Sequence, residues 1–437
     1  MTPIERLFAL EHFGIKLGLA AMHTLLAELG QPQHAWPSLH VAGTNGKGSV
    51  SAMTSAALTG AGLRVGRYTS PHLFRVEERM AIDGEDVAET VLSRALGRVF
   101  AAADALVARG TLTAVPTFFE VSTAAAFVVF ADARVDVSVV EVGLGGRFDA
   151  TNVITPVAGA ITTIDFDHER HLGTTIAAIA REKAGIAKAG VPLVVGDVPD
   201  EALHVIEDTA RLAGAPVIRA RYEAIVDAPL DGGHTHLTVR TAAGRYGPVR
   251  LGLAGAHQAG NALVAIRLLE AFGAVTGRRV PAAAVTAALG DVRWPARLEW
   301  LRHPGSGARV LVDAAHNPAG ARALAGYLAD TGAAGFTLVT SVMADKDVAG
   351  VVGPLLPHVG RVIVTAANLP RATAPALLAA QVAALGPADL VVDIVADPAR
   401  AVAQALAQPA PVLLTGSIYL VAEARTQLLD RIAQTPA

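Results

Sequence analysis

Residues 43 to 49 read Gly-Thr-Asn-Gly-Lys-Gly-Ser, between the apolar run Leu39-His40-Val41-Ala42 and a long Ala/Leu-rich segment that starts at Val50. A strand, a glycine-rich turn and a helix N-terminus in that order make an anion cradle. Backbone N–H groups and the helix dipole point at phosphate, and Lys47 adds a positive charge. The common nucleotide loop ends Gly-Lys-Ser/Thr, whereas here Gly48 stands between Lys47 and Ser49. That spacing points away from an ordinary GTPase or ATPase. A glycine-rich turn without a ligand is the competing reading, and a Lys and a Ser in register weigh against it.

Other residues could serve the same phosphates. Glu141 closes the apolar run Val135–Val142, and an acid at the carboxyl end of a buried strand is placed to meet a nucleotide's magnesium. His168 follows a second strand in Ile164-Asp165-Phe166-Asp167-His168. Either residue alone could equally be a cap or a hydrogen-bonded loop residue. Ser49 and Ser70 offer hydroxyls to the same metal, though serine in a turn is commonly a turn former. Lys183, in Arg181-Glu182-Lys183-Ala184-Gly185, sits late in a predicted helix, where lysine is ordinarily solvated and suits the helix dipole.

These groups need a scaffold, and the hydropathy supplies one. Strands are expected at His40–Thr44, Val65–Ser70, Val135–Val142, Ala158–Ile164 and Val191–Asp197. Helical segments near Val87–Arg109, Phe118–Ala133, Thr174–Lys188 and Asp200–Ala213 alternate with them. The pattern predicts an α/β fold: a phosphate-loop-type, mostly parallel sheet with helices on both faces. From Pro216 to Leu253 the runs shorten and alternate around Asp231-Gly232-Gly233 and Gly244, which predicts a small antiparallel subsheet. Helices follow at His257–Phe272 and Pro281–Leu289. Strands at Arg309–Asp313, Phe336–Val342, Arg361–Ala366, Leu390–Val395 and Pro411–Thr415 then predict a C-terminal Rossmann-like α/β unit. With the Pro-containing stretch Arg293 to Gly307 as linker, the expected domains are 1–295, holding the ATP loop, and 296–437.

Composition bounds the partners. A chain of 437 residues exceeds what one core usually serves, which fits two domains. The net charge of −3, with no Lys/Arg cluster, gives no groove for nucleic acid and no anionic-membrane patch, so small molecules are the expected partners. Zero cysteines exclude disulfides, thiolate metal ligands and a Cys nucleophile, in keeping with a reducing cytoplasm. The early acid Glu5 interrupts any secretory h-region. Mean hydropathy is high at +0.43. It reads as buried parallel strands, because no stretch offers the ~20 apolar residues that span a bilayer.

The loop Gly-Thr-x-Gly-Lys-Gly-Ser is also that of ATP-dependent ligases that couple an amino acid to a carboxylate, and further segments extend the likeness. They include Ile15-Lys16-Leu17-Gly18-Leu19, Thr69-Ser70-Pro71-His72-Leu73, Thr117-Phe118-Phe119-Glu120 and the run Glu141 to Asn152. Arg181 to Ile186, His257-Gln258 with Asn261, Pro295-Ala296-Arg297, Asp313 to Pro318, Asp345-Lys346-Asp347 and Gly416 to Leu420 follow in order. Together they resemble the bacterial bifunctional dihydrofolate synthase/folylpolyglutamate synthase family, within the Mur ligase superfamily.

The resemblance implies a reaction. ATP phosphorylates the carboxylate of dihydropteroate, or of a reduced folate's terminal glutamate, and the amine of L-glutamate attacks the acyl phosphate to form an amide. It also implies roles. Gly46, Lys47, Gly48 and Ser49 would hold the phosphates of ATP; Ser49, Ser70, Glu141 and His168 would ligate Mg²⁺, together with Lys183 if carbamylated. Lys47, Glu141, His168 and Lys183 are then the catalytic set. Asn261, Arg297, Asp313 and His316 match nucleotide contacts, and ATP is expected to be closed between two domains that rotate during turnover. Leu17, Gly18, Leu19, Thr117, Phe148, Asp149 and Ala150 match the pterin-binding surface, and for Phe148 a plain rim aromatic is a comparable reading. A cytoplasmic monomer is expected on the same ground.

Two departures stand out: Ala314 where the family usually has Gly, which matters only if that position needs positive φ, and Lys16 where it usually has Asp. Other readings are a single-activity folylpolyglutamate synthase, another Mur-type amino-acid ligase, a silent nucleotide-binding regulator, or a hydrolase using water as acceptor. A cell-wall ligase would carry a UDP-binding domain, for which the phosphate loop at residue 43 leaves no room ahead of it.

Overall fold

A computed structural model of the chain describes residues 1–11 and 18–433. They form two compact units, one of residues 1–227, 237–249 and 260–292, the other of 228–236, 250–259 and 293–437.

The first unit is built on an eight-stranded sheet. Its strands are β1 (Ser38–Ala42), β2 (Val65–Tyr68), β3 (Met80–Ile82), β4 (Glu85–Asp86), β5 (Val137–Glu141), β6 (Ala158–Ile161), β7 (Leu193–Val195) and β8 (Val217–Arg219). They lie in the order β4-β3-β2-β5-β1-β6-β7-β8. The six from β2 to β8 in that order run parallel, and β3 and β4 add an antiparallel edge. All five residues of β1 and of β5 are buried, as expected of central parallel strands covered on both faces. The chain leaves β1 towards β2 on one side and later enters β6 on the other. Strand order therefore reverses beside β1, the place at which open parallel sheets take ligands at their carboxyl ends. One apolar cluster gathers helices Glu89–Ala108 and Phe118–Ala133 with Tyr68 and Val140. Another joins helices Ile176–Ala184 and Asp200–Ala213 to Ala42, Ile161 and Val195.

Several boundaries differ from expectation. Val217–Arg219, placed in the antiparallel subsheet by its texture, is β8 of the large sheet, parallel to β7. The subsheet itself holds β9 (Ile225–Asp227), β10 (Leu230–Asp231), β11 (His234–Arg240) and β12 (Arg245–Arg250). The helix His257–Thr276 has twenty residues and is long and apolar enough to cross a membrane by length and composition, contrary to the sequence reading. In the fold its Leu263, Val264, Ile266, Leu268 and Phe272 are buried in the protein, which explains the apolarity.

The second unit has a six-stranded sheet of β13 (Glu299–Arg302), β14 (Arg309–Val312), β15 (Phe336–Thr340), β16 (Val359–Val364), β17 (Val391–Ile394) and β18 (Val412–Thr415), ordered β13-β14-β18-β15-β16-β17. Only β13 is antiparallel. β13 lies in the stretch read from sequence as linker, because its alternating Glu-Trp-Leu-Arg was masked by the prolines around it.

Candidate active site

The phosphate loop leaves β1 and enters the helix Lys47–Gly60 through Gly46, its N-cap, at φ +85°. A β-carbon there would fall on Oδ1 of Asn261, so glycine serves both the left-handed turn and the close approach of a side chain from the helix His257–Thr276. Segment 162–165 braces the loop. The Thr44 N–H donates to the Thr163 carbonyl at 2.8 Å, the Asn45 N–H to Thr163 Oγ1 at 3.0 Å, and Thr162 Oγ1 to the Asn45 carbonyl at 2.6 Å. Sequence reading did not single out Thr162 and Thr163, since two threonines after a strand carry no distinctive signal. Ser49 sits in the first helical turn and is 2% exposed.

Two lysines converge on one carbonyl. Lys47 Nζ donates to the carbonyls of Gly43 and Thr44, each at 3.1 Å, and Lys183 Nζ donates to the same Gly43 oxygen at 2.9 Å. Lys183 lies in the last turn of the helix Ile176–Ala184 and is 4% exposed rather than solvated. Burial, with the charge of Lys47 beside it, lowers its amine to about 7 against the pull of Asp167 and Asp149. A substantial neutral fraction near neutral pH is what carbamylation requires of it.

Glu141 ends β5, 4% exposed, and its Oε2 accepts the Ser70 N–H at 3.1 Å. The structure thus brings together two of the expected metal ligands. His168 follows the segment that braces the loop, in left-handed conformation at φ 51°. Its N–H donates to Asp167 Oδ1 at 2.8 Å, and its Nε2 lies 3.9 Å from the same oxygen. Among the described residues no group of three His, Cys, Asp or Glu side chains is assembled to hold a metal, so any cation here would depend on hydroxyl, modified-lysine or phosphate oxygens as well. Carboxylate and hydroxyl donors without thiolate fit a hard divalent cation.

The loop from Gly143 to Asn152 joins these parts. Gly146 lies so close to the Lys183 helix that a β-carbon would stand 2.8 Å from the carbonyl oxygens of Glu182 and Lys183. The Arg147 N–H donates to the Glu182 carbonyl at 2.8 Å. Asn152 Nδ2 reaches the carbonyls of Arg147 and Gly185 at 3.0 and 3.1 Å. Asp149, expected at the pterin surface, is buried and ties the loop together. It accepts the N–H of Leu144 at 2.8 Å, the N–H of Thr151 at 3.0 Å and the hydroxyl of Thr151. Burial pushes its carboxyl above the usual range, and the Thr151 hydroxyl is the largest of the effects opposing that rise. Behind it, His40 Nε2 lies 2.9 Å from Thr151 Oγ1. The threonine hydrogen goes to Asp149, so His40 must donate from Nε2; this tautomer is assigned from the network. Its Nδ1 has no hydrogen-bond partner among the described residues. Burial, with the charge of Lys188 adding, drives its pKa to about 3, so the ring is neutral.

Of the remaining pterin candidates, Phe148 is 37% exposed with the Arg147 guanidinium 4.7 Å from its ring centre, while Ala150 is buried. Thr117 caps the helix Phe118–Ala133 in a reciprocal box with Glu120. Gly18 has φ +137° and Leu19 packs against the first apolar cluster. Leu17 and Lys16 lie outside the described residues.

In the second unit, Arg297, Asp313 and His316 form one neighbourhood. Asp313 accepts the N–H groups of Leu298 at 2.9 Å and Ala315 at 2.8 Å. Ala314 donates its N–H to the Ala296 carbonyl at 3.0 Å, and His316 Nδ1 lies 2.9 Å from the Ala314 carbonyl. Ala314 is absent from the residues with positive φ, so alanine costs nothing there.

Residues 296–418 match the family described as Mur ligase, glutamate ligase domain. Over 368 residues the chain is 42% identical to the dihydrofolate synthase/folylpolyglutamate synthase of Mycobacterium tuberculosis, covering 81% of this chain and 75% of that protein. The solved structure of Mycobacterium tuberculosis folylpolyglutamate synthase complexed with ADP superposes with a TM-score of 0.89 at 36% identity, covering all of both chains. That of E. coli FolC in complex with DHPP and ADP gives 0.86 at 29% identity, over 99% of each.

Proposed function

The chain belongs to the dihydrofolate synthase/folylpolyglutamate synthase family of ATP-dependent ligases, and from that premise we propose that it joins L-glutamate to dihydropteroate and to the glutamyl tail of reduced folates. The observation that carries the chemistry is the meeting of Lys47 and Lys183 on the Gly43 carbonyl.

Lys47 and the amides that open the helix Lys47–Gly60 hold the phosphates of ATP and offset the charge that builds up as the terminal phosphoryl moves. The acceptor carboxylate takes the phosphoryl group and becomes an acyl phosphate. The glutamate amine then attacks the acyl carbon, loses a proton, and phosphate departs. Mg²⁺, when bound, supplies charge neutralisation between ATP and the acceptor carboxylate; Ser49, Ser70, Glu141 and His168 are the residues we assign to it. Lys183 joins them after its neutral amine adds to CO₂ with release of a proton, which exchanges a cation for an anionic oxygen donor. Asn261, Arg297, Asp313 and His316 are assigned to the nucleotide. Gly18, Leu19, Phe148 and Ala150 are assigned to the pterin, with Leu17 carried by resemblance alone. Thr117 and Asp149 serve that surface by capping and by shaping the loop. The same reading makes the chain a cytoplasmic monomer whose partners are ATP, L-glutamate and folates, with no nucleic acid or membrane.

The test is phosphate release from ATP and Mg²⁺ with L-glutamate, run in parallel with dihydropteroate and tetrahydrofolate and with products identified by mass. Turnover with both acceptors is expected. Turnover with one alone reduces the function to a single activity, and turnover with neither refutes the folate reading.

A further inference from the structure

Arg297 stands between two non-glycine residues in left-handed conformation, Ala296 at φ 55° and Leu298 at φ 48°. Both are buried, at 0% and 4% exposure. A β-carbon crowds the following carbonyl in that region, so such residues persist only where surrounding contacts over-determine them. Those contacts are present. The Ala296 N–H donates to Glu299 Oε2 at 2.9 Å, its carbonyl accepts the Ala314 N–H at 3.0 Å, and the Leu298 N–H donates to Asp313 Oδ2 at 2.9 Å. Glu299 is itself gripped by Arg425, from the helix Ile418–Ala433, through Nε to Oε2 at 2.8 Å and Nη2 to Oε1 at 2.6 Å.

Charge-assisted bonds to both carboxylate oxygens fix Glu299 in angle as well as distance. The two side chains are 12% and 22% exposed, so solvent competes little for either. Arg297 Nη1 donates to the Ala296 carbonyl at 3.0 Å. The peptide that the contacts hold therefore also seats the guanidinium. An ion pair serving only to fasten the C-terminal helix to β13 would have no need to take a backbone N–H from a strained residue.

We propose that Glu299 and Arg425 are positioning residues that aim Arg297, holding the Ala296–Leu298 backbone in the strained shape that presents its guanidinium to a nucleotide phosphate. The inference rests on the assignment of Arg297 to the nucleotide. A planar guanidinium binds phosphate through a directional fork, so a change in backbone angle costs it more than it would cost a lysine. The effect falls on nucleotide binding and leaves the folate and glutamate constants alone.

The test uses the full chain with E299Q, R425M, R425K, R297M and A296G. ADP affinity is measured by calorimetry, KM is measured for each substrate, and urea unfolding reports stability. E299Q and R425M should each weaken ADP binding and raise KM for ATP by between about fivefold and thirtyfold, the factor that one or two kcal/mol represents. KM for dihydropteroate and for L-glutamate should stay within about twofold. R425K, which keeps the charge without the fork, should fall between. E299Q should add little on top of R297M, since both act through one guanidinium. A296G, free of the β-carbon, should recover part of the loss in the E299Q background. Unchanged ADP affinity in E299Q and R425M, whatever their stability, overturns the proposal, as does additivity of E299Q with R297M. An R297M enzyme that binds ADP normally removes the assignment of Arg297 itself and the proposal with it, whereas a weakened R297M beside normal E299Q and R425M refutes the positioning role alone.

Discussion

Thr151→Val is nearly isosteric, so it probes the buried His40–Thr151–Asp149 chain without opening a cavity. It removes a hydroxyl that donates to the Asp149 carboxylate and also the acceptor that His40 Nε2 uses. A hydrogen bond to a charged group contributes about 1.5–3 kcal/mol, and a stranded buried donor costs about 1–3 kcal/mol. Their overlap within one network puts the expected loss at about 2–4 kcal/mol where the carboxyl is ionised. The pH dependence carries the sharper test. Burial raises the Asp149 carboxyl above the usual carboxylate range and the Thr151 hydroxyl opposes that rise, so the variant's carboxyl titrates higher still. At pH values above both folded pKa values the hydroxyl stabilises the ionised form in full. As pH falls through them the carboxyl protonates in either protein and that part of the difference disappears. Urea unfolding across a pH series should show a gap between wild type and T151V that is largest at the high end and narrows towards the low end, with T151S close to wild type throughout. A pH-independent gap, or a T151V protein as stable as wild type at the high end of the series, would refute the reasoning.

Lys183 gives a second pH-linked expectation: an amine at about 7 is about nine-tenths neutral at pH 8, so ¹³C-bicarbonate should produce a carbamate signal that grows from pH 6 to pH 8 and is missing in Lys183→Arg. Because the folded amine lies below the ordinary lysine value of 10.5, the unfolded chain binds more protons between those two values, so this lysine's burial penalty fades and stability rises with pH across that window. A Lys183→Met protein should lose that slope in urea titrations. Gly46→Ala forces a β-carbon into a φ of +85° and onto Asn261 Oδ1, which should cost about 1–2 kcal/mol for the backbone alone; adding Asn261→Ala should recover the overlap and not the backbone part, as read by unfolding. Thr117→Ala removes the cap of the helix Phe118–Ala133 and should cost about 1 kcal/mol in the same assay.

Much of the fold was legible because its strands are continuous apolar runs separated by amphipathic helices. β1 and β5 are buried along their whole length, which is what a hydrophobic run of that kind means in a parallel sheet. The misplacements share a cause. β8 and β13 are three and four residues long and partly exposed at sheet edges, so their residues follow neighbouring turn chemistry more than any burial pattern. The helix His257–Thr276 shows why apolarity alone does not decide a membrane span, since a helix buried within a protein and one buried in lipid need the same apolar surface.

The site divides along a similar line. A phosphate loop announces itself because its demands are local: a left-handed glycine, a cation and a helix start within seven residues. The groups that support it are set by distance in space instead. His40 and Thr151 are 111 positions apart and Glu299 and Arg425 are 126 apart, and nothing in sequence links either pair. Lys183 shows how far one residue can be misread in isolation. Its sequence context is that of a solvated helix end, and its meaning comes from Gly146, whose missing side chain lets the loop lie against the carbonyls of Glu182 and Lys183. A β-carbon at position 146 would stand 2.8 Å from those two oxygens, so the loop or the helix would have to shift. A shift that uncovered the lysine would weaken the burial that is the main cause of its lowered pKa, so the environment of Lys183 depends on a glycine in another segment as much as on the lysine itself.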